Sequence, residues 1–236
     1  MTSEQSKRTE ALIGADALAC LRMSSVLLFG LGGVGGYALE ALVRAGVGRI
    51  GIVDFDVISE SNTNRQILAT LDSVGKKKTE LALDRAKSID PDVEVLVFDC
   101  FADESNIASI FEQARPGYVI DAVDTVSAKL AIISEAKKRG VRVLSCMGTG
   151  NKLDATKFMI GDVSKSSICP LARVMRAELR KKGISGVEAL WSTEIPHSVV
   201  TDAEHGRHAP ASISYVPAVA GLLLAGHVIR SMITLS

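Results

Sequence analysis

Between Val26 and Leu144 the chain alternates short apolar runs with stretches of helical periodicity. Val26–Phe29, Ile50–Val53, Val93–Val97, Tyr118–Ile120 and Val141–Leu144 are rich in β-branched residues and bounded by Gly, Asp or Ser, so they read as strands. Between them, Leu39, Leu42 and Val43 share one face of a helix over Tyr37–Arg44. Leu81, Ala82, Arg85, Ala86 and Ile89 recur at helical spacing over Lys78–Ile89. Gly46 and Gly140 stand where helices end on a left-handed residue. Asp103 and Asp124 are expected to cap the helices that follow them. Strands that alternate with helices need crossover connections. The expected fold is therefore α/β, a doubly wound and mostly parallel sheet buried on both faces.

From Thr149 the pattern changes. Phe158–Ile160 and Val187–Trp191 predict two more strands around a basic helix over Leu171–Lys182. Glu194–Ala211 is polar, holds Pro196, Pro210, His197, His205 and His208, and is expected to be a surface loop over the site rather than a metal centre. Val216–Gly226 is apolar and reads as a buried helix, since it stops at His227 and Arg230, short of the roughly 18 residues a membrane span needs. With no repeat and no linker, one domain is expected over 1–236: a nucleotide-binding core (1–150) and a C-terminal α/β elaboration (151–236).

Composition narrows the function. Lys and Arg number 27, as do Asp and Glu, so the net charge is zero. A general nucleic-acid coat is excluded, while a local basic face is not. Met1–Arg8 is polar and does not resemble a secretory signal. The cysteines, Cys20, Cys100, Cys146 and Cys169, form no CxxC pair. That spacing suits neither a zinc tetrad nor a secreted disulfide framework, so reduced thiols in a cytoplasm, away from any membrane, are expected.

Gly30-Leu-Gly32-Gly33-Val-Gly35 joins the first strand to the first helix of the alternation. Glycines there let the chain turn tightly and bring backbone N–H groups against phosphate oxygens, with the helix N-terminus adding positive potential. About twenty residues on stands Asp54, placed to reach ribose hydroxyls. The pattern is Rossmann-like; the competing reading is a glycine turn needed only for helix–sheet packing.

The motif alone does not distinguish NAD from ATP. The residues after it do: Asp54-Phe-Asp56, then Ser61-Asn62-Thr-Asn64-Arg65-Gln66, then Gly75-Lys76-Lys77-Lys78-Thr-Glu80. A triphosphate attacked at its α-phosphorus needs cations on the non-bridging oxygens, which Arg65 and Lys78 can supply. Asp121 and Asp124, with Thr125 behind them, end the fourth strand, where open α/β sheets gather ligands; Asp124 could hold Mg²⁺ against the phosphates. A solvated helix start for Lys76–Lys78 and a helix cap for Asp124 are the structural alternatives.

These residues together resemble the E1-like adenylating enzymes, which include the ThiF and MoeB sulfur-carrier activators. Gly148–Asp154, Ile160–Lys165, Cys169–Arg176 and Ser212–Pro217 further resemble the branch that dehydrates threonylcarbamoyladenosine in tRNA. The resemblance implies ATP and Mg²⁺ as reactants, a tRNA substrate and a homodimer with shared sites. Gly33, Asp54, Asn62, Arg65, Lys78 and Asp124 match the family's nucleotide-binding and adenylation positions, and Arg8 matches an arginine that reaches the partner subunit's site. The chain lacks the paired CxxC of the sulfur-carrier activators, so no structural zinc is expected. A monovalent cation beside the nucleotide and a sulfur-mobilising partner stay open.

For tRNA, Lys165, Arg173, Arg176, Arg180, Lys181 and Lys182 form a basic group along the predicted helix, to be weighed against a merely solubilising face. Cys169, before Pro170 at that helix's start, would carry a thioester if the chain activated a sulfur-carrier protein. Ring closure on the substrate needs no enzyme nucleophile, which favours a structural or substrate-lining cysteine. A non-catalytic nucleotide-sensing or NAD-binding module is the third reading.

Overall fold

The strands β1 (Ser25–Phe29), β2 (Arg49–Val53), β3 (Glu94–Phe98), β4 (Tyr118–Asp121), β5 (Arg142–Cys146), β6 (Phe158–Asp162) and β7 (Glu188–Ser192) form one sheet in the order β3-β2-β1-β4-β5-β7-β6. All pairings are parallel except β6 on β7. These coordinates come from a computed structural model, which describes residues 3–198, 203–204, 207–208 and 210–233. Each expected strand is present, and β6 and β7 extend the same sheet that the first five strands begin.

The helices are α1 (Ser3–Ile13), α2 (Ala15–Met23), α3 (Gly35–Ala45), α4 (Lys78–Ile89), α5 (Ile107–Ala114), α6 (Val126–Lys138), α7 (Pro170–Lys181) and α8 (Tyr215–Ile233). One face of the sheet buries apolar residues of α2, α3, α4 and α8; the other buries those of α5, α6 and α7. Leu39, Leu42 and Val43, the stripe read from α3, are fully enclosed. Each such burial stabilises by about 1.5–3 kcal/mol. Gly46 ends α3 at φ 95°, where a side chain would be strained.

Three expectations are corrected. Asp103 does not cap α5: its carboxylate accepts from the N–H and hydroxyl of Ser105, in the turn before, and Asn106 holds the cap position. Asp124 does not cap α6 either; Thr125 holds that place and makes no side-chain cap bond. The C-terminal helix runs 19 residues, past His227 and Arg230, and by length and apolarity alone it could cross a membrane. Buried Val216, Leu224 and Val228 pack it against the α3 face of the sheet, while Arg230 points to solvent and so does not interrupt it. In the polar segment, His205 lies outside the described residues and the side chain of His208 is not described. His197 sits exposed with Nε2 3.3 Å from Glu194.

Candidate nucleotide site

In the sheet order β1 lies between β2 and β4, and the connections diverge from that point. Such a switch opens a crevice at the carboxyl ends of the strands, where α/β sheets bind ligands. The glycine turn occupies it. Gly30 has φ 86°, and a Cβ there would stand 2.7 Å from the Ala122 carbonyl oxygen. At Gly35 a Cβ would meet the Gly30 oxygen at 1.7 Å. These two glycines are required by close approach, at both ends of the turn. Gly33 faces Pro217 and the Arg65 side chain, and Gly32 lies beside Gln66. No side chain caps α3, and in its first turn Gly36 N–H donates to the Gly32 carbonyl of the glycine turn at 3.0 Å.

Asp54, nearly buried, locks this turn. Its Oδ2 accepts from Leu31 N–H at 2.6 Å and its Oδ1 from Asp56 N–H at 2.9 Å. Burial pushes its carboxyl above the ordinary aspartate range, opposed by Lys78 and by those two N–H groups. Each oxygen keeps a lone pair for a ribose hydroxyl. Beyond it, Phe55 and Phe101 stand exposed in an edge-to-face pair with centroids 5.2 Å apart. The sequence gives no sign that Phe101 would meet Phe55, the residue directly after Asp54.

Lys78, 5% exposed, opens α4 and donates to Asp56 Oδ2 at 2.7 Å. The backbone repeats the tie, Lys78 N–H donating to Asp56 carbonyl at 3.1 Å. Arg65 lays its Cγ beside Gly33 and donates through Nη1 to the Ser61 carbonyl and to Asn64 Oδ1, which hold its guanidinium within the 61–65 turn. Asn62 and Asn64 serve the turn itself. Asn62 Oδ1 accepts from Ser59 N–H, while Asn64 also donates to the Ser212 carbonyl.

The two aspartates after β4 part ways. Asp121 is fully buried, bonded to Lys129 Nζ at 2.9 Å, Ser145 Oγ at 2.5 Å and Val123 N–H at 3.2 Å. It ties β4 to β5 through Ser145, and its carboxylate is taken up by these protein partners. Lys129 also donates to the Cys146 carbonyl. Nothing in a sequence marks this residue, eight positions from its partner. Asp124 is exposed; among the described residues its carboxylate accepts one hydrogen bond, from the neighbouring Thr125 hydroxyl at 3.3 Å.

Arg8 stands exposed on α1, whose Gln5 reaches the Ile89 carbonyl at the far end of α4 from Lys78. It does not join the site of its own chain. Along α7, Arg173, Arg180 and Lys181 are exposed, as is Lys165 before it. Arg176 is turned inward, donating to the carbonyl and hydroxyl of Ser166, so the expected basic group along the helix loses it. Lys181 and Lys182 pair with Glu178 and Glu104. Cys169, 1% exposed, precedes α7 and lies against Gly148.

A doubly wound sheet with a glycine turn at its switch point, a locking aspartate and a lysine opening the next crossover helix defines a nucleotide-binding class. Its family is shown by a match over residues 5–235: the chain belongs to the ThiF family. Within it, the chain is similar to the tRNA threonylcarbamoyladenosine dehydratase of Bacillus subtilis, 39% identical over 97% of this chain and 94% of that one. The Escherichia coli protein of the same name is 36% identical over 79% of this chain and 72% of its own. The crystal structure of Escherichia coli tRNA N6-threonylcarbamoyladenosine dehydratase in complex with AMP superposes with a TM-score of 0.91 at 31% identity, covering 98% of this chain and 95% of that one. Its complex with ATP gives 0.89.

Proposed function

We propose that this protein uses ATP to activate the carboxylate of N6-threonylcarbamoyladenosine in tRNA as an acyl adenylate, and then closes that side chain into a ring with net loss of water. The reading is carried by the residues around the glycine turn: Arg65, whose Cγ lies beside Gly33, and Lys78, whose charge acts on the Asp54 that holds Leu31, in a chain similar over 97% of its length to a dehydratase of that substrate.

In this scheme Asp54 orients the ribose and the α3 N-terminus receives the phosphates. Arg65 and Lys78 stabilise negative charge on the non-bridging oxygens as the substrate carboxylate attacks the α-phosphorus and pyrophosphate departs. A group of the carbamoyl unit then attacks the acyl carbon. AMP leaves with one former carboxylate oxygen, and the attacking group loses its proton. This second attack is intramolecular and gains high effective molarity, so no enzyme nucleophile is required. Buried Cys169 lines the site rather than forming a thioester. Asp124, an exposed carboxylate with a free approach, fits Mg²⁺ held jointly with phosphates. Bound there, the ion would neutralise phosphate charge.

Arg8 serves the site of a second copy in a homodimer, and Arg173, Arg180 and Lys165 meet tRNA phosphates, in the cytoplasm. Nucleoside analysis of tRNA incubated with protein, ATP and Mg²⁺ tests the reading. Loss of one water from threonylcarbamoyladenosine is expected, and an unchanged nucleoside mass would overturn it. Lys78→Ala should lower substrate-dependent pyrophosphate release by roughly 100-fold or more.

A further inference from the structure

Three lysines are buried near the carboxyl edge of the sheet: Lys78, Lys129 and Lys152, at 5, 0 and 4% exposure. Two have carboxylate partners, Asp56 and Asp121. The third does not. Among the described residues, Lys152 Nζ is bonded only to the Gly150 carbonyl of its own loop, 3.2 Å away. An ammonium carries three donors, and burying it without a counter-charge is costly enough that such groups are ordinarily paired. The unmatched lysine marks the place of a missing anion.

The loop that carries it is built to hold its shape. Asn151 takes φ 58°, its N–H donates to the Ala211 carbonyl at 2.7 Å, and its carbonyl accepts from His197 N–H at 2.8 Å. A Cβ on Gly150 would stand 2.6 Å from Pro210. Glu194 fixes the following turn by accepting from the N–H groups of Leu153 and Asp154. Tyr215 ties the Leu153 carbonyl to the start of α8, two residues before the Pro217 that faces Gly33. Within this frame Asn151 Oδ1 is also buried without a partner. An ammonium without a counter-charge and an acceptor without a donor thus occupy consecutive positions in the loop after β5, one strand beyond the Asp121–Asp124 turn.

We propose that Lys152 and Asn151 recognise the acyl substrate: Lys152 takes its carboxylate and Asn151 accepts a urea N–H. This rests on the function proposed above. The phosphates already have Arg65 and Lys78 on the opposite side of the switch point, which leaves the β5 side for the group that attacks. After adenylation the same ammonium faces the acyl carbonyl oxygen, whose negative charge grows as the ring closes.

The test compares an anticodon stem-loop bearing threonylcarbamoyladenosine with the same RNA bearing plain adenosine. The wild type should bind the modified RNA more tightly. Lys152→Met should reduce that preference by roughly 10- to 100-fold, the range of a lost charge-assisted hydrogen bond. ATP affinity should stay within about twofold, and Lys152→Gln, which keeps a donor, should fall between. A merely structural lysine would weaken both RNAs and ATP alike. That result would overturn the proposal, as would an intact preference with weakened ATP binding, which would assign the ammonium to a phosphate. If the wild type shows no preference and produces no cyclised nucleoside, the proposed function fails and this assignment with it. Cyclisation by the wild type with full activity in Lys152→Met would sink the assignment alone.

Discussion

Asp54 ties Leu31 and Asp56 together, and in the proposed function its remaining lone pairs take a ribose. Because burial lifts its pKa, the native state holds this proton more tightly than the unfolded chain. Between the ordinary aspartate pKa and the raised one, its contribution to stability therefore increases as the pH falls. ATP affinity runs the other way, since only the ionised form offers acceptors on both oxygens. Calorimetric titrations across acidic pH should show affinity dropping at a higher pH than an ordinary aspartate would give. Asp54→Asn should bind ATP weakly, because an amide can satisfy only one of the two N–H groups, and should lack that inflection. The same inflection in the variant would assign it elsewhere. Asp54, Lys78 and Arg65 were legible by residue type and spacing. Asp121 is singled out by its place at the end of the fourth strand, but its partners, a lysine eight residues on and a serine on β5, are set by the fold and have no mark in the sequence.

At the scale of elements, the strands and helices of the first half were readable because each has a strong period and ends on Gly or Asp. Helix starts were less so. Asp103 bonds within its own preceding turn, a choice set by local geometry that one-dimensional spacing does not show. The end of α8 was missed because Arg230 faces solvent, and one outward polar residue does not stop a helix already packed on α3. Glycines divide in the same manner. Gly35 and Gly75 look alike in the chain, yet a Cβ at Gly35 strikes a backbone oxygen at 1.7 Å, while at Gly75 (φ 85°) nothing lies within 4 Å. Gly35→Ala should force α3 off β1 and abolish ATP binding. Gly75→Ala should cost only the left-handed backbone strain, about 1–2 kcal/mol in a urea titration, with ATP affinity kept. Equal effects of the two would refute this account of the turn.

Across the whole molecule, nucleotide and tRNA must approach the same edge. The α7 N-terminus touches Gly148 at the carboxyl end of β5, so the helix leads from the site outward with Arg173 and Arg180 exposed along it. Reversing both, in Arg173→Glu/Arg180→Glu, should weaken modified and unmodified tRNA alike and lower the salt slope of binding by about one per lost phosphate contact. ATP affinity should not change. An unaltered salt slope would remove α7 from the interface. Arg176 belongs to a different experiment: its guanidinium braces Ser166, so its loss should lower stability before it affects RNA.

The amino-acid sequence by itself determined the alternation of strand and helix, the glycine turn and the kinds of charge around it. Those follow from period, from backbone freedom and from residue chemistry, all of which are local. Which charges are matched was decided only when the chain folded. Lys129 found a carboxylate, Lys152 did not, and Arg176 turned inward, because burial and partnership depend on segments far apart in sequence meeting at one edge of the sheet.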